Sequence, residues 1–249
     1  MVHPQVVRLL GYDLFSGNKE FFAERFKGVV NTINPNAYVI SQNDNRLREA
    51  FNASDYIIPD GVGIVMATWV LTGKRINKIA GADLHDVIIN ALSARKGSCF
   101  YLGSSDDTLR KISTRISGEH PTIRVGSYSP PYKSHFSDDD SASMIKVVNE
   151  FNPDVLFVGM TAPKQEKWVY ENKRLISAPV ICSIGAVFDF YAGTVKRPGK
   201  LWISIGLEWL PRLICEPRRL WRRTFISTPL FICYVIREKL RIKKNKIKR

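Results

Sequence analysis

Val155-Leu156-Phe157-Val158-Gly159 is apolar at every position, which marks a strand covered on both faces rather than one with a wet side. Strands of that kind belong to parallel sheets flanked by helices. Val29–Ile33, Tyr56–Ile58, Cys99–Leu102, Ile123–Val125 and Val180–Ile184 are further short apolar runs, several of them β-branched at successive positions. The segments between them are amphipathic. Asn34-Pro35 reads as an N-cap with proline at the first helical position, opening a helix through about Phe51. A helix over Val62–Leu71 follows the strand at Tyr56–Ile58. From Asp83 to Lys96, Leu84, Val87, Ile88, Ala91 and Leu92 share one face, and Gly97 ends the helix. Ser137 followed by Asp138, Asp139 and Asp140 reads as a cap with an acidic first turn, leading a helix to Phe151. Residues 1–195 are therefore predicted to form an α/β core, Rossmann-like, with a mostly parallel sheet.

After residue 195 the texture changes. Aromatic and basic residues interleave from Lys196 to Arg223, an apolar run follows at Phe225–Ile236, and the chain ends in REKLRIKKNKIKR. Of the formal net charge of +14, the segment from Arg212 to Arg249 contributes +11 (thirteen Lys/Arg against Glu216 and Glu238), leaving +3 for the first 211 residues. The apolar run contains Pro229 and is too short for a spanning helix, which needs roughly 20 apolar residues. Residues 196–249 are predicted to be a helical appendage lying on an anionic membrane surface. The apolar residues Phe225, Leu230, Phe231 and Ile232 argue against a nucleic-acid partner, since gripping a phosphate backbone does not need them. Self-association is another way to mask such a tail, so a homo-oligomer is a further expectation. MVHPQVVRLLGYDLF lacks the pattern of a signal peptide. Cys99, Cys182, Cys215 and Cys233 are scattered without metal-ligand spacing. Both features suit a cytoplasmic protein, peripheral on the inner face of the membrane.

Several segments carry chemistry. Thr32-Ile33-Asn34 is followed, 28 residues after the threonine, by Pro59-Asp60-Gly61-Val62-Gly63-Ile64-Val65. Ala80-Gly81-Ala82-Asp83-Leu84 comes next, then Gly159-Met160-Thr161-Ala162-Pro163-Lys164-Gln165-Glu166-Lys167-Trp168. Gly185-Ala186-Val187-Phe188-Asp189, Gly206-Leu207-Glu208-Trp209-Leu210 and Glu216-Pro217-Arg218-Arg219-Leu220-Trp221-Arg222-Arg223 lie downstream. In this order the segments resemble the WecG/TagA/CpsF family of glycosyltransferases over roughly residues 8–225. The resemblance implies inverting transfer of N-acetylmannosamine, its uronic acid or a related hexose from a UDP-sugar. The implied acceptor is a glycan on undecaprenyl diphosphate, in cell-surface polysaccharide synthesis. It also implies that Asp60 corresponds to the family's proposed catalytic aspartate, and that Arg212, Arg219 and Arg222 correspond to appendage arginines thought to fold over the pocket.

Read as chemistry, inverting transfer needs a base on the acceptor hydroxyl, stabilisation of the departing diphosphate and donors that fix the sugar. Asp60 follows a strand at the edge where parallel sheets build ligand clefts, and an ordinary aspartate is ionised at pH 7. Its alternative role is to cap the helix at Val62. Thr32 and Asn34 are placed to hydrogen-bond donor or acceptor, Asn34 with helix capping as a second role. Gln165 suits sugar hydroxyls and Lys164 a diphosphate. Gly103-Ser104-Ser105 leaves a strand and opens a helix, offering backbone N–H groups to phosphate. Asp189 is a partner for the nucleotide or a buried structural carboxylate. Lys78 stands where the family usually has arginine in R-V-x-G-x-D, with Asp83 the aspartate of that segment; Arg75 lies three residues earlier. Asp138-Asp139-Asp140 is explained as a helix start, so no metal and no cofactor are expected, and the arginines take over charge neutralisation. A nucleotide-dependent oxidoreductase would need G-x-G-x-x-G after an early strand; the first predicted strand is followed by Asn34-Pro35-Asn36, and Gly61-Val62-Gly63 lacks the third glycine. A non-enzymatic membrane or nucleic-acid binding module would leave Thr32, Asp60 and Gln165 without a role.

Overall fold

The computed structural model describes residues 5–24, 26–196, 199, 202 and 209–247. An antiparallel hairpin, β1 (Val6–Leu9) and β2 (Tyr12–Phe15), turns through Leu10 and Gly11, both at positive φ. The remaining strands are β3 (Gly28–Ile33), β4 (Tyr56–Pro59), β5 (Ser98–Gly103), β6 (Arg124–Tyr128), β7 (Val155–Gly159) and β8 (Val180–Ser183). They pair in parallel in the order β1-β2-β4-β3-β8-β7-β5-β6, with only β1 against β2 antiparallel. The expected α/β architecture with a mostly parallel sheet is what the chain forms. All five positions of β7 are buried, as its unbroken apolar sequence requires.

The helices are α1 (Pro35–Asn43), α2 (Asn45–Asn52), α3 (Val62–Thr72), α4 (Gly81–Ala94), α5 (Asp106–Glu119), α6 (Asp138–Phe151), α7 (Lys164–Asn172) and α8 (Gly185–Tyr191). On one face of the sheet, Val30 and Ile58 pack with Leu84, Ile88 and Leu92 of α4, Ile112 of α5 and Phe188 of α8. On the other face, Val29, Leu156 and Ile181 meet Met144 of α6 and Trp168 of α7. Farther along it, Leu14 and Ile57 meet Tyr38, Phe51 and Ile64 of α1, α2 and α3.

Three sequence expectations are corrected. The helix expected from Asn34 to Phe51 is two helices, because Asp44 leaves the helical region (φ −123°, ψ 95°) and caps α2 by accepting from the Leu47 amide at 3.0 Å. The strand expected at Ile123–Val125 is shifted to Arg124–Tyr128, with Ile123 held in a turn by its amide bond to the His120 carbonyl. The helix expected from Asp83 begins at Gly81 and ends at Ala94.

In the appendage, α9 (Trp209–Cys215) and α10 (Pro217–Arg222) lead through a π-helical turn, Arg223–Ser227, into α11 (Thr228–Ile247). Pro229 follows closely on that π-helical turn, where the i→i−4 ladder is already interrupted. Among the described residues no helix is long and apolar enough to cross a membrane. Helix α11 instead packs back on the core. Phe231 is buried with its ring edge-on to Tyr38, centroids 5.4 Å apart, and Tyr234 meets the same tyrosine. Truncating a buried phenylalanine costs about 3 kcal/mol or more. Phe231→Ala is accordingly expected to lower unfolding stability by about that amount in urea titrations and to make α11 readily cleaved by protease; unchanged stability would mean that α11 is not anchored there.

Candidate functional site

The carboxyl ends of β4, β3, β8, β7 and β5 lie side by side in that order, and nearly every candidate residue leaves the sheet there. Strand β4 delivers Asp60. The pairing with β3 runs one residue past the strand, the Asp60 amide donating to the Ile33 carbonyl at 2.9 Å. Asp60 therefore sits beside Asn34 and two residues beyond the level of Thr32, whose strand partner is Ile58. The cap position of α3 is Gly61, at φ +102°, which has no side chain to lend to the helix. The cap position weighed as the alternative role for Asp60 thus falls to Gly61. The carboxylate is half-buried.

Asn34 does cap. Its Oδ1 accepts from the Ala37 amide at 3.0 Å, and Pro35 follows in the first turn of α1. Val30, which shares a sheet face with Thr32, is part of the core built with α4 and α8; alternation along the strand puts Thr32 on that side and Asn31 on the other. The segment carrying Lys78 is drawn to the same place, because the Ile79 amide donates to the Pro59 carbonyl at 3.0 Å. Asp83 reaches back from the first turn of α4, its Oδ2 accepting from the Ala80 amide at 3.3 Å. The Arg75 guanidinium lies 6.0 Å from the centroid of the Trp69 ring, near the end of α3.

Close backbone approaches lock these loops together. A Cβ on Gly63 would stand 2.8 Å from Pro35 Cγ, and one on Gly81 would stand 3.2 Å from Val187 Cγ2. A Cβ on Gly185 would stand 2.5 Å from the Met160 carbonyl oxygen and 2.6 Å from Gln165 Oε1. Gly103, at φ +113°, presses against the Gly159 carbonyl. The segments that stand apart in the sequence thus interlock at one edge of the sheet.

Toward β7 and β5 the candidates are more occupied. Gln165 is only 4% exposed; its Oε1 accepts from the Met160 amide at 3.2 Å and its Nε2 donates to Glu166 Oε1 at 2.9 Å. Lys164 donates to the Lys133 carbonyl at 2.7 Å and lies 4.4 Å over the Phe136 ring, and burial pulls its pKa down. Ser104 holds positive φ after Gly103, and its carbonyl accepts from Ser129 Oγ at 2.8 Å. Ser105 caps α5, whose first turn carries Asp106 and Asp107, so negative charge already stands at that helix start and opposes an anionic ligand. Asp189 lies on α8, half-buried, its carbonyl accepting from Thr194 and Val195. Ser137 caps α6 as expected and forms a capping box with Asp140, and Lys133 beside Asp140 holds that carboxyl down at about 2. Among the described residues no group of three or more His, Cys, Asp or Glu is arranged to hold a metal ion.

Arg222 is exposed on α10, its guanidinium 5.8 Å from the ring of Trp221. The side chains of Arg212 and Arg219 lie outside the described residues. The appendage is tied beside the site nonetheless, since Ser227 Oγ donates to Asn36 Oδ1 at 2.8 Å in the first turn of α1.

The family model "Glycosyl transferase WecG/TagA/CpsF family" matches residues 12–245. The chain belongs to the WecG/TagA/CpsF family. It is thus a glycosyltransferase. A relative from Bacillus subtilis (strain 168), named N-acetylglucosaminyldiphosphoundecaprenol N-acetyl-beta-D-mannosaminyltransferase, is 30% identical over 228 residues, 92% of this chain and 85% of its own. Proteins of the same name from Bacillus spizizenii and Staphylococcus aureus (strain NCTC 8325) are 28% and 26% identical, over 83% and 92% of this chain and 77% and 88% of theirs.

One residue of this WecG/TagA/CpsF site escaped the sequence reading. Glu166 is 2% exposed; Gln165 engages one carboxyl oxygen, and Oε2 has no hydrogen-bond partner among the described residues. Asn31 Oδ1 and Ser183 Oγ are likewise buried without partners, at paired positions of β3 and β8. Burial pushes the Glu166 carboxyl up to about 7, against the opposing effect of the Gln165 hydrogen bond. A glutamate looks like surface in sequence, and only the packing of α7 against α2 and the sheet reveals otherwise. That packing is fixed by Lys167–Asp44 at 2.5 Å, Arg46–Glu171 at 2.9 Å and the Lys173 bond to the Ala53 carbonyl at 2.6 Å.

A carboxyl whose folded pKa stands above its unfolded value holds its proton more tightly when folded. Its contribution to stability is fully present below the unfolded value and is lost as pH rises through about 7. The loss is about 3 kcal/mol by linkage. Glu166→Gln is expected to remove it, so that the fall in unfolding free energy between pH 5 and pH 8 shrinks by up to that amount relative to wild type. An identical fall in both proteins would show that Glu166 is charged in the folded state.

Proposed function

We propose that this glycosyltransferase moves an N-acetylmannosamine-type sugar from a UDP-sugar to a hydroxyl of N-acetylglucosamine carried on undecaprenyl diphosphate, with inversion and with Asp60 as general base. The acceptor and the sugar follow the names of the relatives. The product belongs to cell-surface polysaccharide synthesis. The observation that carries the reading is the turn after β4. Its aspartate is half-buried and stands just before the Gly61 cap of α3, and its amide is pinned to β3 beside Asn34.

In this reading the acceptor oxygen attacks the anomeric carbon and gives its proton to the Asp60 carboxylate. The bond from the anomeric carbon to the diphosphate oxygen breaks, and UDP departs with the electron pair. Thr32 and the Asn34 amide group fix sugar hydroxyls from the neighbouring strand. Lys78, half-buried and brought to β4 by the Ile79–Pro59 bond, meets the growing negative charge on the leaving diphosphate. A lysine does this as a point charge, without the two-pronged grip of a guanidinium. Arg222 and its neighbours Arg212 and Arg219 supply that grip when the appendage, tied to α1 through Ser227, covers the cleft. Gln165 keeps the Met160 turn in place through its amide and reaches the sugar with its remaining hydrogen.

Asp60→Asn is expected to bind UDP-sugar as wild type does and to lower the transfer rate by at least about 100-fold, the lower range for a lost general base. Calorimetry with UDP-sugar and a product assay by mass spectrometry check the two halves, and full activity would remove Asp60 as the base. Charge neutralisation by side chains predicts that EDTA leaves the rate nearly unchanged; a strict divalent requirement would overturn that part of the mechanism.

A further inference from the structure

Helix α3 begins two residues after Asp60 and differs from the other core helices in what it shows to solvent. Ile64, Ala67 and Thr68 face the core. Val62, Met66, Trp69 and Val70 are 40%, 57%, 51% and 38% exposed, and their spacing places them along one side of the helix. A helix on an ordinary wet surface carries charge on that side, yet Val62 to Thr72 contains no charged residue. Exposed apolar stripes of this size mark interaction surfaces.

The surroundings say what covers it. Helix α11 lies alongside, since Lys239 Nζ donates to the Val70 carbonyl. While Phe231 and Tyr234 turn inward to Tyr38, Ile232, Ile236 and Leu240 are about half exposed, so apolar side chains of both helices flank one seam. The rim is basic. Lys74, Arg75 and Lys78 follow α3, with no acidic residue between Gly61 and Ala82. Along α11 stand Arg237, Lys239, Arg241, Lys243 and Lys244, against Glu238 alone, which is engaged by Arg241 at 2.7 Å. Trp69 with Arg75 over its ring is the pairing suited to the boundary between headgroups and acyl chains, where amphipathic rings settle. Apolar residues ringed by an excess of positive charge fit an anionic bilayer rather than a protein partner.

We propose that α3 is a membrane-inserting element of the core: its Val62–Met66–Trp69–Val70 stripe enters an anionic lipid surface together with α11, and so sets the Asp60 turn at the lipid boundary. The membrane contact thereby extends from the appendage into the helix that leaves the reactive turn. The lipid contact itself stands without the transferase reading; its consequence, that a diphosphate-linked acceptor reaches Asp60 without leaving the bilayer, rests on that reading.

The test uses the full chain and vesicles of phosphatidylglycerol and phosphatidylcholine, with no donor or acceptor present. Met66→Asp/Trp69→Gln is expected to bind these vesicles at least about tenfold more weakly than wild type, about 1.4 kcal/mol, with unchanged circular dichroism, and Trp69→Phe is expected to bind normally. Unchanged vesicle affinity in the double variant would overturn the proposal. So would a loss confined to self-association in sedimentation, which would assign the stripe to a second copy of the chain. A measurement that does not depend on the double variant folding is quenching by lipids brominated on their acyl chains. Trp69→Phe should lose a quenched component of the wild-type tryptophan emission, and identical quenching in both would place Trp69 outside the bilayer. An inactive wild type that still binds vesicles through α3 would sink the transferase reading and leave this one standing.

Discussion

Two backbone hydrogen bonds at the end of β4, from the Asp60 amide to the Ile33 carbonyl and from the Ile79 amide to the Pro59 carbonyl, fix the part of the molecule on which the proposed chemistry depends. The first extends the β3–β4 ladder by one residue and sets Asp60 next to Asn34. The second brings Lys78 and the start of α4 to the same strand end. Neither bond involves a side chain, so the geometry comes from the parallel sheet itself. Parallel strands need helices on both faces, and the helices leave from the carboxyl edge. The loops can approach closely because glycine stands at Gly63, Gly81, Gly103 and Gly185, where a Cβ would collide with or press on a neighbouring loop. A carboxylate, a lysine and two strand-end polar residues are thereby gathered before any ligand arrives, and pre-set groups of that kind need no rearrangement during reaction.

Much of this was legible in the sequence, for physical reasons. Val155–Gly159 had to be a buried strand, because five successive apolar positions leave no wet face. Asn34-Pro35 and Ser137 through Asp140 had to start helices, because their side chains satisfy the first amides. The hairpin of β1 and β2 was not legible. Its strands are short, and its turn places Leu10 at positive φ, a conformation that asparagine or glycine would have advertised. The break at Asp44 was hidden because Asn43, Asp44 and Asn45 can all sit on a helix exterior; only the finished packing of α2 beneath α7 shows that the chain stops and restarts there. Strand β6 ends in Gly126-Ser127-Tyr128, whose mixed polarity suits its edge position in the sheet and conceals it.

For the site the division is similar. Asp60, Thr32 and Asn34 could be gathered in advance because each follows or ends an apolar strand, and such ends share an edge; Lys78, between α3 and α4, was marked only by the family segment it belongs to. Glu166 could not, since burial of an acid depends on what packs over it. The appendage was readable in charge and apolarity, but its return to the core through Phe231 was not, because a half-apolar helix looks alike whether its apolar face meets lipid or protein. Here it meets both kinds of demand. One side closes on Tyr38, and the other remains apolar and basic beside α3. In the proposed reading the Asp60 turn lies between the sheet and that surface, which is where an enzyme working on a lipid-borne sugar needs it.

The most direct test of this arrangement is a crystal structure of the chain with UDP bound. The account predicts the diphosphate at the carboxyl edge between β4 and β8, within reach of Lys78, with the Asp60 carboxylate facing the space left for the sugar. Nucleotide density at the opposite edge of the sheet, or an Asp60 side chain turned away from the diphosphate, would contradict it.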